Sequence, residues 1–109
     1  MVARRHPTPA PVRRALRAFS EDLATWRRLR RLTAAQVADR AGVSRGTVHR
    51  LESGEGSVSL ENALRIARAL GIMDLLVGAL DPYATDEGRM RSDEALPKRV
   101  RTKDAASRG

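Results

Sequence analysis

The stretch AGVSRGTVHRLESG, residues 41–54, carries Arg45, His49 and Arg50 at short intervals. Apolar residues three positions apart lie among them, which predicts a helix with an apolar underside and cationic groups on its outer side. A guanidinium donates two parallel hydrogen bonds, so arginine suits phosphate groups and the O6 and N7 acceptors of guanine. The chemistry indicated is recognition of a polyanion, with Arg45 and Arg50 as candidate base-contacting residues and Gly46 and His49 beside them.

Catalysis and metal binding are not indicated by the same stretch. His6 is the only other histidine, and the chain has no cysteine. A metal or acid–base site needs several groups that converge on one point, and His49 has no second ligand on its own helix. No nucleophile, base and orienting residue can be assembled either. We therefore expect no enzymatic activity, no metal and no cofactor.

The sequence GEGS, residues 54–57, superficially resembles a phosphate-binding loop. It lacks the Gly-Lys-Ser/Thr that completes such a loop, and no strand pattern precedes it. We interpret it as a turn between two helices, in which Gly54 and Ser57 are candidate phosphate contacts.

Composition narrows the class of protein. The 109 residues suit one small domain with appendages, and the net charge of +8 favours nucleic acid, an anionic membrane or an acidic protein surface as partner. Three aromatic residues are too few for platforms that stack single-stranded bases. No apolar run has the length of a membrane span, and the N-terminus lacks the apolar core of a signal peptide. We expect a cytoplasmic, nucleoid-associated protein with no membrane partner.

The middle of the chain has the periodicity of helices throughout, without sustained strand alternation, so the predicted fold class is all-α. Ser20 and the acids after it indicate the start of a first helix. Three further starts are marked by residues that cap helices: Thr33 (in a capping box with Gln36), Ser44 and Ser59. Glycines that can end these helices follow at positions 42, 54 and 71. A fifth apolar segment, IMDLLVGAL, occupies residues 72–80.

The second and third helices have the residues of a tight helix-turn-helix. A small residue lets the helices approach, a glycine makes the turn, and apolar residues close the underside. These structural positions are Val37, Ala38, Gly42, Val43, Val48 and Leu51.

Residues 32–72, LTAAQVADRAGVSRGTVHRLESGEGSVSLENALRIARALGI, closely resemble the Cro/λ-repressor-type, or XRE, DNA-binding domain. The Leu-Thr opening, Val-Ala, Gly-Val-Ser, Glu-x-Gly and the SLENALRIARALG helix agree in register. The resemblance extends over roughly residues 19–80. It implies a five-helix λ-repressor-like fold, a helix-turn-helix over residues 33–52, and a recognition helix over residues 44–52 that enters the major groove.

The resemblance also implies roles for other residues. Arg27 and Glu52 occupy the positions of a structural ion pair. The phosphate-contacting set is Thr33, Gln36, Ser44, Thr47, Gly54 and Ser57. One departure is Ala34, because the family commonly has a phosphate-binding glutamine there, and Gln36 falls two residues later.

Appendages flank the predicted domain, residues 18–80. Residues 1–17 contain five arginines, three prolines and no acids, and are predicted to form a disordered basic arm. Such an arm either follows DNA into a minor groove or is a disordered leader. Residues 81–109 form a polar and basic tail, in which Ser92 is a predicted helix start and Pro97 a stop. The tail weakly resembles those of small XRE regulators paired with HipA-type kinase toxins; a polar linker is the other interpretation.

The function predicted is a transcriptional regulator, most often a repressor, that binds a palindromic operator in double-stranded DNA as a homodimer. Residues 72–80 either complete the core or form the dimer seam. The first alternative is an antitoxin that neutralises a toxin protein and represses its own operon. The second is a nonspecific polyanion binder that uses its arginines only as charge.

Overall fold

The computed structural model describes residues 6–95, and all the regular structure in that part of the chain is helical. The predicted all-α class is confirmed. The elements in chain order are α1 (Ala10–Leu29), α2 (Ala34–Ala41), α3 (Arg45–Ser53), α4 (Leu60–Leu70), α5 (Met73–Ala79), a 3-10 turn (Pro82–Ala84) and α6 (Asp86–Ala95). No helix within these residues combines the length and the apolar character that crossing a membrane requires.

The first helix begins much earlier than the sequence predicts. α1 starts at Ala10 after the N-cap Pro9, so residues 10–17 are helical and the prediction of a disordered arm is wrong for them. Pro11 falls within the first turn, where a helix needs no backbone N–H donor, and the alanines, leucine and arginines that follow are strong helix formers. Ser20 consequently lies inside the helix, 2% exposed, and does not start it. Residues 1–5 lie outside the described residues.

Side-chain caps begin the next three helices as predicted. Thr33 Oγ1 accepts a hydrogen bond from the Gln36 backbone N–H at 3.1 Å, and Gln36 Oε1 accepts one from the Thr33 N–H at 2.9 Å. This completes the predicted capping box. Ser44 and Ser59 cap α3 and α4 in the same way, with nitrogen-to-oxygen distances of 3.0 and 3.1 Å. Each cap satisfies a donor that the first turn of a helix would otherwise leave unpaired.

Left-handed residues end these helices. Gly42, Gly54 and Gly71 have φ between 72° and 78°, and each is followed by a residue whose N–H bonds back to the preceding turn. The end of α1 has the same geometry without glycine: Arg31 has φ 58°, and the N–H of Leu32 donates to the Arg27 carbonyl at 3.1 Å. A side chain in this conformation costs about 1–2 kcal/mol, so the end of α1 is locally strained.

The core lies where α2 meets α3 and α4 and where α1 crosses α3. Its side chains come from every helix up to α4 and from the residue before α5. The buried apolar residues are Leu23, Val37, Ala38, Ala41, Val48, Leu51, Ile66, Ala67, Leu70 and Ile72. These residues form the core of a compact unit that ends at Asp74, whereas the sequence predicts a domain that extends to residue 80.

Residues from Leu75 onward belong to a second unit with a different character. None of residues 75–95 is buried, and Leu75, Val77 and Leu80 expose 62, 59 and 85% of their surface. The predicted helix start at Ser92 is wrong, because α6 begins at Asp86 and contains Ser92. Thr85 is the actual cap: its Oγ1 accepts from the Gly88 N–H at 2.9 Å. Pro97, the predicted stop, lies outside the described residues.

Replacing the strained residue at the end of α1 is expected to stabilise the protein. Arg31→Gly removes the cost of a side chain at φ 58° and should raise the free energy of unfolding by about 0.5–1 kcal/mol. For a domain of this size the melting temperature should rise by roughly 2–8 °C. The matched control is Arg28→Gly, which puts glycine in the last turn of the same helix and should lower stability by roughly 1 kcal/mol. Thermal unfolding followed by circular dichroism measures both; two shifts of the same sign would contradict the assignment.

Candidate nucleic-acid interface

The turn between α2 and α3 brings these two short helices together. Gly42 takes φ 72°, and the N–H of Val43 donates to the Ala38 carbonyl at 3.0 Å. Ala38 and Ala41 are 4 and 6% exposed, and α2 packs directly against α3. Small side chains at the contact allow the close approach that a helix-turn-helix requires. α3 is therefore held at a fixed angle with one side outward.

α3 divides into a sealed underside and an exposed outer face. Val48 is 0% and Leu51 8% exposed, which closes the underside as predicted. The exposed residues are Ser53 at the C-terminal end and the four candidate base contacts: Arg45, Gly46, His49 and Arg50. The structure thus places all four of them on one helix, on the side away from the core.

Thr47, a candidate phosphate contact in the sequence, does not lie on the outer face. It is 6% exposed, and its hydroxyl oxygen lies 3.0 Å from Ser44 Oγ. The reason is helical geometry, because Thr47 precedes Val48 and shares its inward side with Leu51, four residues on. A buried hydroxyl needs a partner, and here it has two, the second being Arg50, whose Nη2 donates to Thr47 Oγ1 at 3.2 Å.

These contacts hold the guanidinium of Arg50 against its own helix. A Cβ at Gly46 would lie 3.5 Å from Arg50 Nη1 and 3.7 Å from Ser44 Oγ. The guanidinium therefore extends back over Gly46 toward the first turn of α3. That is the end of a recognition helix from which side chains reach base edges. Gly46 has no positive φ, and the space above it is occupied by the arginine.

The candidate phosphate contacts form two groups at the ends of α2 and α3. Thr33 and Gln36 are exposed, and their capping box commits the Thr33 hydroxyl and the Gln36 carbonyl oxygen to the helix start. Ser57 is exposed in the turn after α3. Gly54 is half-buried and packed against α1: a Cβ there would lie 3.6 Å from both Arg17 Cα and Ser20 Oγ. Its role as the left-handed end of α3 agrees with the sequence prediction, whereas its contact with α1 was not predicted.

Arg27 and Glu52 form a two-pronged ion pair that joins α1 to α3. Arg27 Nε donates to Glu52 Oε2 at 2.7 Å and Nη2 donates to Oε1 at 3.1 Å. The third nitrogen, Nη1, donates to the Leu32 carbonyl at 3.0 Å. The two side chains are 20 and 16% exposed, so solvent screens this pair much less than a surface pair.

The hydrogen bonds that Arg27 donates to Glu52 raise the pKa of Arg27 above its ordinary value, against a smaller opposing effect of burial, and the charge of Glu52 adds to the rise. A raised pKa stabilises the fold at every pH below the ordinary arginine value, and the contribution is lost only as pH rises through the raised value. The arginine side of the pair is therefore insensitive to pH under physiological conditions.

Contacts of α1 with the turn after α3 were not predicted from the sequence. Leu16 lies over Gly56, and Ser20 lies against Gly54. The signal was present, because Leu16, Ser20 and Leu23 recur at helical spacing, but the prolines before them favoured an arm. A second unpredicted contact is that of Arg30, whose Nε donates to the Leu70 carbonyl at 2.9 Å and whose guanidinium carbon lies 5.0 Å from the centre of the Trp26 ring.

Breaking the ion pair from the carboxylate side should destabilise the fold. Glu52→Gln keeps the shape of the side chain but leaves Arg27 without its counter-charge, and should lower the free energy of unfolding by about 1–3 kcal/mol. The control is Glu61→Gln, which removes an exposed pair with Arg65 whose side chains are 75 and 49% exposed. Exposed pairs contribute little, so this variant should unfold like the wild type. Urea unfolding of the two variants measures the difference, and equal midpoints would argue against a structural role of the Arg27 pair.

Comparison with known proteins agrees with this geometry. A family model described as helix-turn-helix matches residues 23–75. The cryptic phage CTXphi transcriptional repressor RstR of Vibrio cholerae serotype O1 is 43% identical over 72 residues, which are 65% of this chain and 62% of that repressor. The chain thus spans less than two thirds of this relative's length. No solved structure shows a significant match. The matched segment, residues 23–75, contains the capped α2, the Gly42 turn and the exposed α3, and this part of the chain is similar to the helix-turn-helix domains of XRE-type DNA-binding proteins.

Proposed function

We propose that the chain is a transcriptional regulator that binds operator DNA by inserting α3 into the major groove. The observation that carries the proposal is the outer face of α3: Arg45, Gly46, His49 and Arg50 are all exposed on a helix whose other side is sealed. An α-helix fits the width of the major groove, and arginine is the commonest side chain that contacts guanine there. The match of residues 23–75 to the helix-turn-helix family model supports the same assignment.

The two arginines have different starting positions in this proposal. Arg45 is the first residue of α3 and extends from its N-terminal turn. Arg50 reaches the same end of the helix by extending back over Gly46, with its rotamer fixed by Thr47. Both are assigned to guanine edges, with His49 and the bare backbone of Gly46 bordering the same base pairs.

Phosphate contacts flank α3 on both sides in the proposal. Thr33 and Gln36 at the start of α2 hold one stretch of backbone, with the Gln36 side-chain amide nitrogen as donor. Ser57 and the Gly54 turn hold another, and Ser44 belongs to the first turn of α3. Thr47 is assigned a positioning role, because its buried hydroxyl is bonded to Ser44 and Arg50.

Repression is the proposed direction of regulation. The relative that is 43% identical is named a transcriptional repressor, and a protein seated in the major groove of a promoter blocks polymerase sterically.

An antitoxin role remains the alternative. The favouring observation is that Tyr83 and Met90, in a unit without buried residues in its described part, are 53 and 60% exposed and so accessible to a protein partner. Co-purification of a kinase-like protein, abolished by deletion of residues 81–109, would favour the antitoxin.

The base-contacting assignment is tested by fluorescence anisotropy on DNA from upstream of the protein's own coding sequence and on a shuffled duplex. Arg45→Ala and Arg50→Ala should each reduce the preference for the native duplex by about 1–3 kcal/mol. Arg68→Ala removes an equally exposed arginine from α4 and should keep the preference. Equal wild-type affinity for both duplexes, with a steep dependence on salt, would leave only a nonspecific polyanion binder.

A homodimer is the second part of the proposal. One recognition helix contacts few base pairs, so proteins of this class double their footprint on a palindrome. Residues 72–80 are divided in the structure: Ile72 is buried, whereas Leu75, Val77 and Leu80 are exposed. Three apolar side chains exposed within six residues of sequence are the surface proposed to be covered by a second chain.

Sedimentation equilibrium tests the dimer. Leu80→Glu places a charge among these exposed side chains and should convert a dimer into a monomer without unfolding it, because Leu80 is 85% exposed. The control is Leu60→Glu on α4, where the leucine is 75% exposed. A wild-type protein that sediments as a monomer at every concentration, or equal dissociation of both variants, would contradict this seam.

A further inference from the structure

α1 extends far beyond the helix-turn-helix domain at its N-terminal end. The match to the family begins at residue 23, whereas the helix begins at Ala10. The residues in between, 10–22, are named here the α1 extension; they add about three and a half turns of helix. The domain core does not require them, since among the buried side chains only Ser20 belongs to this segment.

The α1 extension is fixed against the turn that follows α3. A Cβ at Gly56 would lie only 3.0 Å from Leu16 Cδ1, and one at Gly54 would lie 3.6 Å from Arg17 Cα. Both glycines have φ near 78°, so the turn presents bare backbone to the helix. The extension is therefore a rigid neighbour of the turn that contains Ser57, one of the proposed phosphate contacts.

One stripe of α1 runs along the side that faces α3. Its members follow each other at steps of four, three, four and three residues, which keeps them on one side of a helix: Arg13, Arg17, Ser20, Ala24 and Arg27. The C-terminal end of the stripe, Arg27, is bound to α3 through its ion pair with Glu52. The N-terminal end carries two exposed arginines. Arg17 lies beside the turn where α3 ends, and Arg13 lies one helical turn further toward the N-terminus.

The formally charged side chains of residues 6–20 are all basic, and the neighbouring acids are Glu21, one turn after Arg17, and Glu55 in the turn after α3. Residues 6–20 contain no acid, and Arg13, Arg14 and Arg17 are all exposed. The Arg13 guanidinium donates to the Thr8 carbonyl at 2.6 Å, a neutral partner that leaves its charge uncompensated. Such a patch, continuous with the turn after α3, complements the phosphates of a duplex that already contacts that turn.

We propose that Arg13 and Arg17 bind the DNA backbone, at phosphates next to those contacted by the turn of residues 54–57. The inference rests on the proposed function, since the duplex is the one whose major groove holds α3. A disordered arm would have to become ordered before it could make this contact. The α1 extension is already helical, so little conformational entropy is lost on binding. The contact carries charge but no base specificity.

The test compares two double variants of the full-length protein that remove the same charge. Arg13→Gln with Arg17→Gln removes the N-terminal end of the stripe, and Arg40→Gln with Arg68→Gln removes two exposed arginines outside the α1 extension. Anisotropy on the upstream duplex and on the shuffled duplex, between about 50 and 200 mM salt, gives the slope of log affinity against log salt. The slope should become shallower by about 0.9 for each phosphate that the protein no longer binds, so by about 1.8 for the stripe variant, and should not change for the control. The preference between duplexes should stay at the wild-type value for both variants.

Failure of this inference is distinguishable from failure of the proposed function. Equal slopes for the two double variants, or an unchanged slope for the stripe variant, would overturn the inference while the wild type still prefers the native duplex. Equal wild-type affinity for both duplexes would overturn the proposed function, and the contrast between the variants would still show whether the stripe binds phosphate. Melting curves of both variants exclude unfolding as the cause of weaker binding.

Discussion

The guanidinium of Arg27 is the interaction on which the arrangement of this domain depends. Two of its nitrogens bind the carboxylate of Glu52 at the end of α3, and the third binds the Leu32 carbonyl, where the chain leaves α1 and approaches α2. One planar group thus links α1 both to the end of α3 and to the segment that connects α1 with α2. Because the pair is mostly shielded from water, its geometry is both strong and directional. The outward face of α3 is a consequence of this anchorage as much as of the apolar underside.

Helices as short as α2 and α3, with eight and nine residues, are not stable alone in water. Their stability comes from tertiary packing and from ends that are fully capped. Thr33 and Ser44 satisfy the first-turn donors, and Gly42 and Gly54 turn the chain away in the left-handed conformation. A short helix built in this way is rigid at both ends. Its exposed side chains can then differ in residue type without a change in the helix itself.

Sequence patterns predicted the capped helices and the turn because these depend on residues three or four positions apart. The predicted start of α1 was wrong because the prolines were given more weight than the helical spacing of Leu16, Ser20 and Leu23. The contact of Leu16 with Gly56, forty residues later in the chain, lies outside any local pattern. Thr47 was predicted to contact phosphate because of its residue type. Its position on the helix instead directs it inward, where its hydroxyl has Ser44 and Arg50 as partners. Ser92 was chosen as the start of the last helix because serine is a common cap. The actual cap is Thr85, which is followed directly by two acids in the first turn of α6.

The bond between Thr47 and Arg50 has a consequence for how such a protein diverges. A side chain that is only 6% exposed binds the guanidinium of an exposed arginine and so favours one of its rotamers. A change at position 47 therefore alters what position 50 presents, although the arginine itself is retained. Two related proteins with identical outward-facing residues can then differ in the DNA they prefer, and a comparison restricted to the exposed positions of α3 would group them together wrongly.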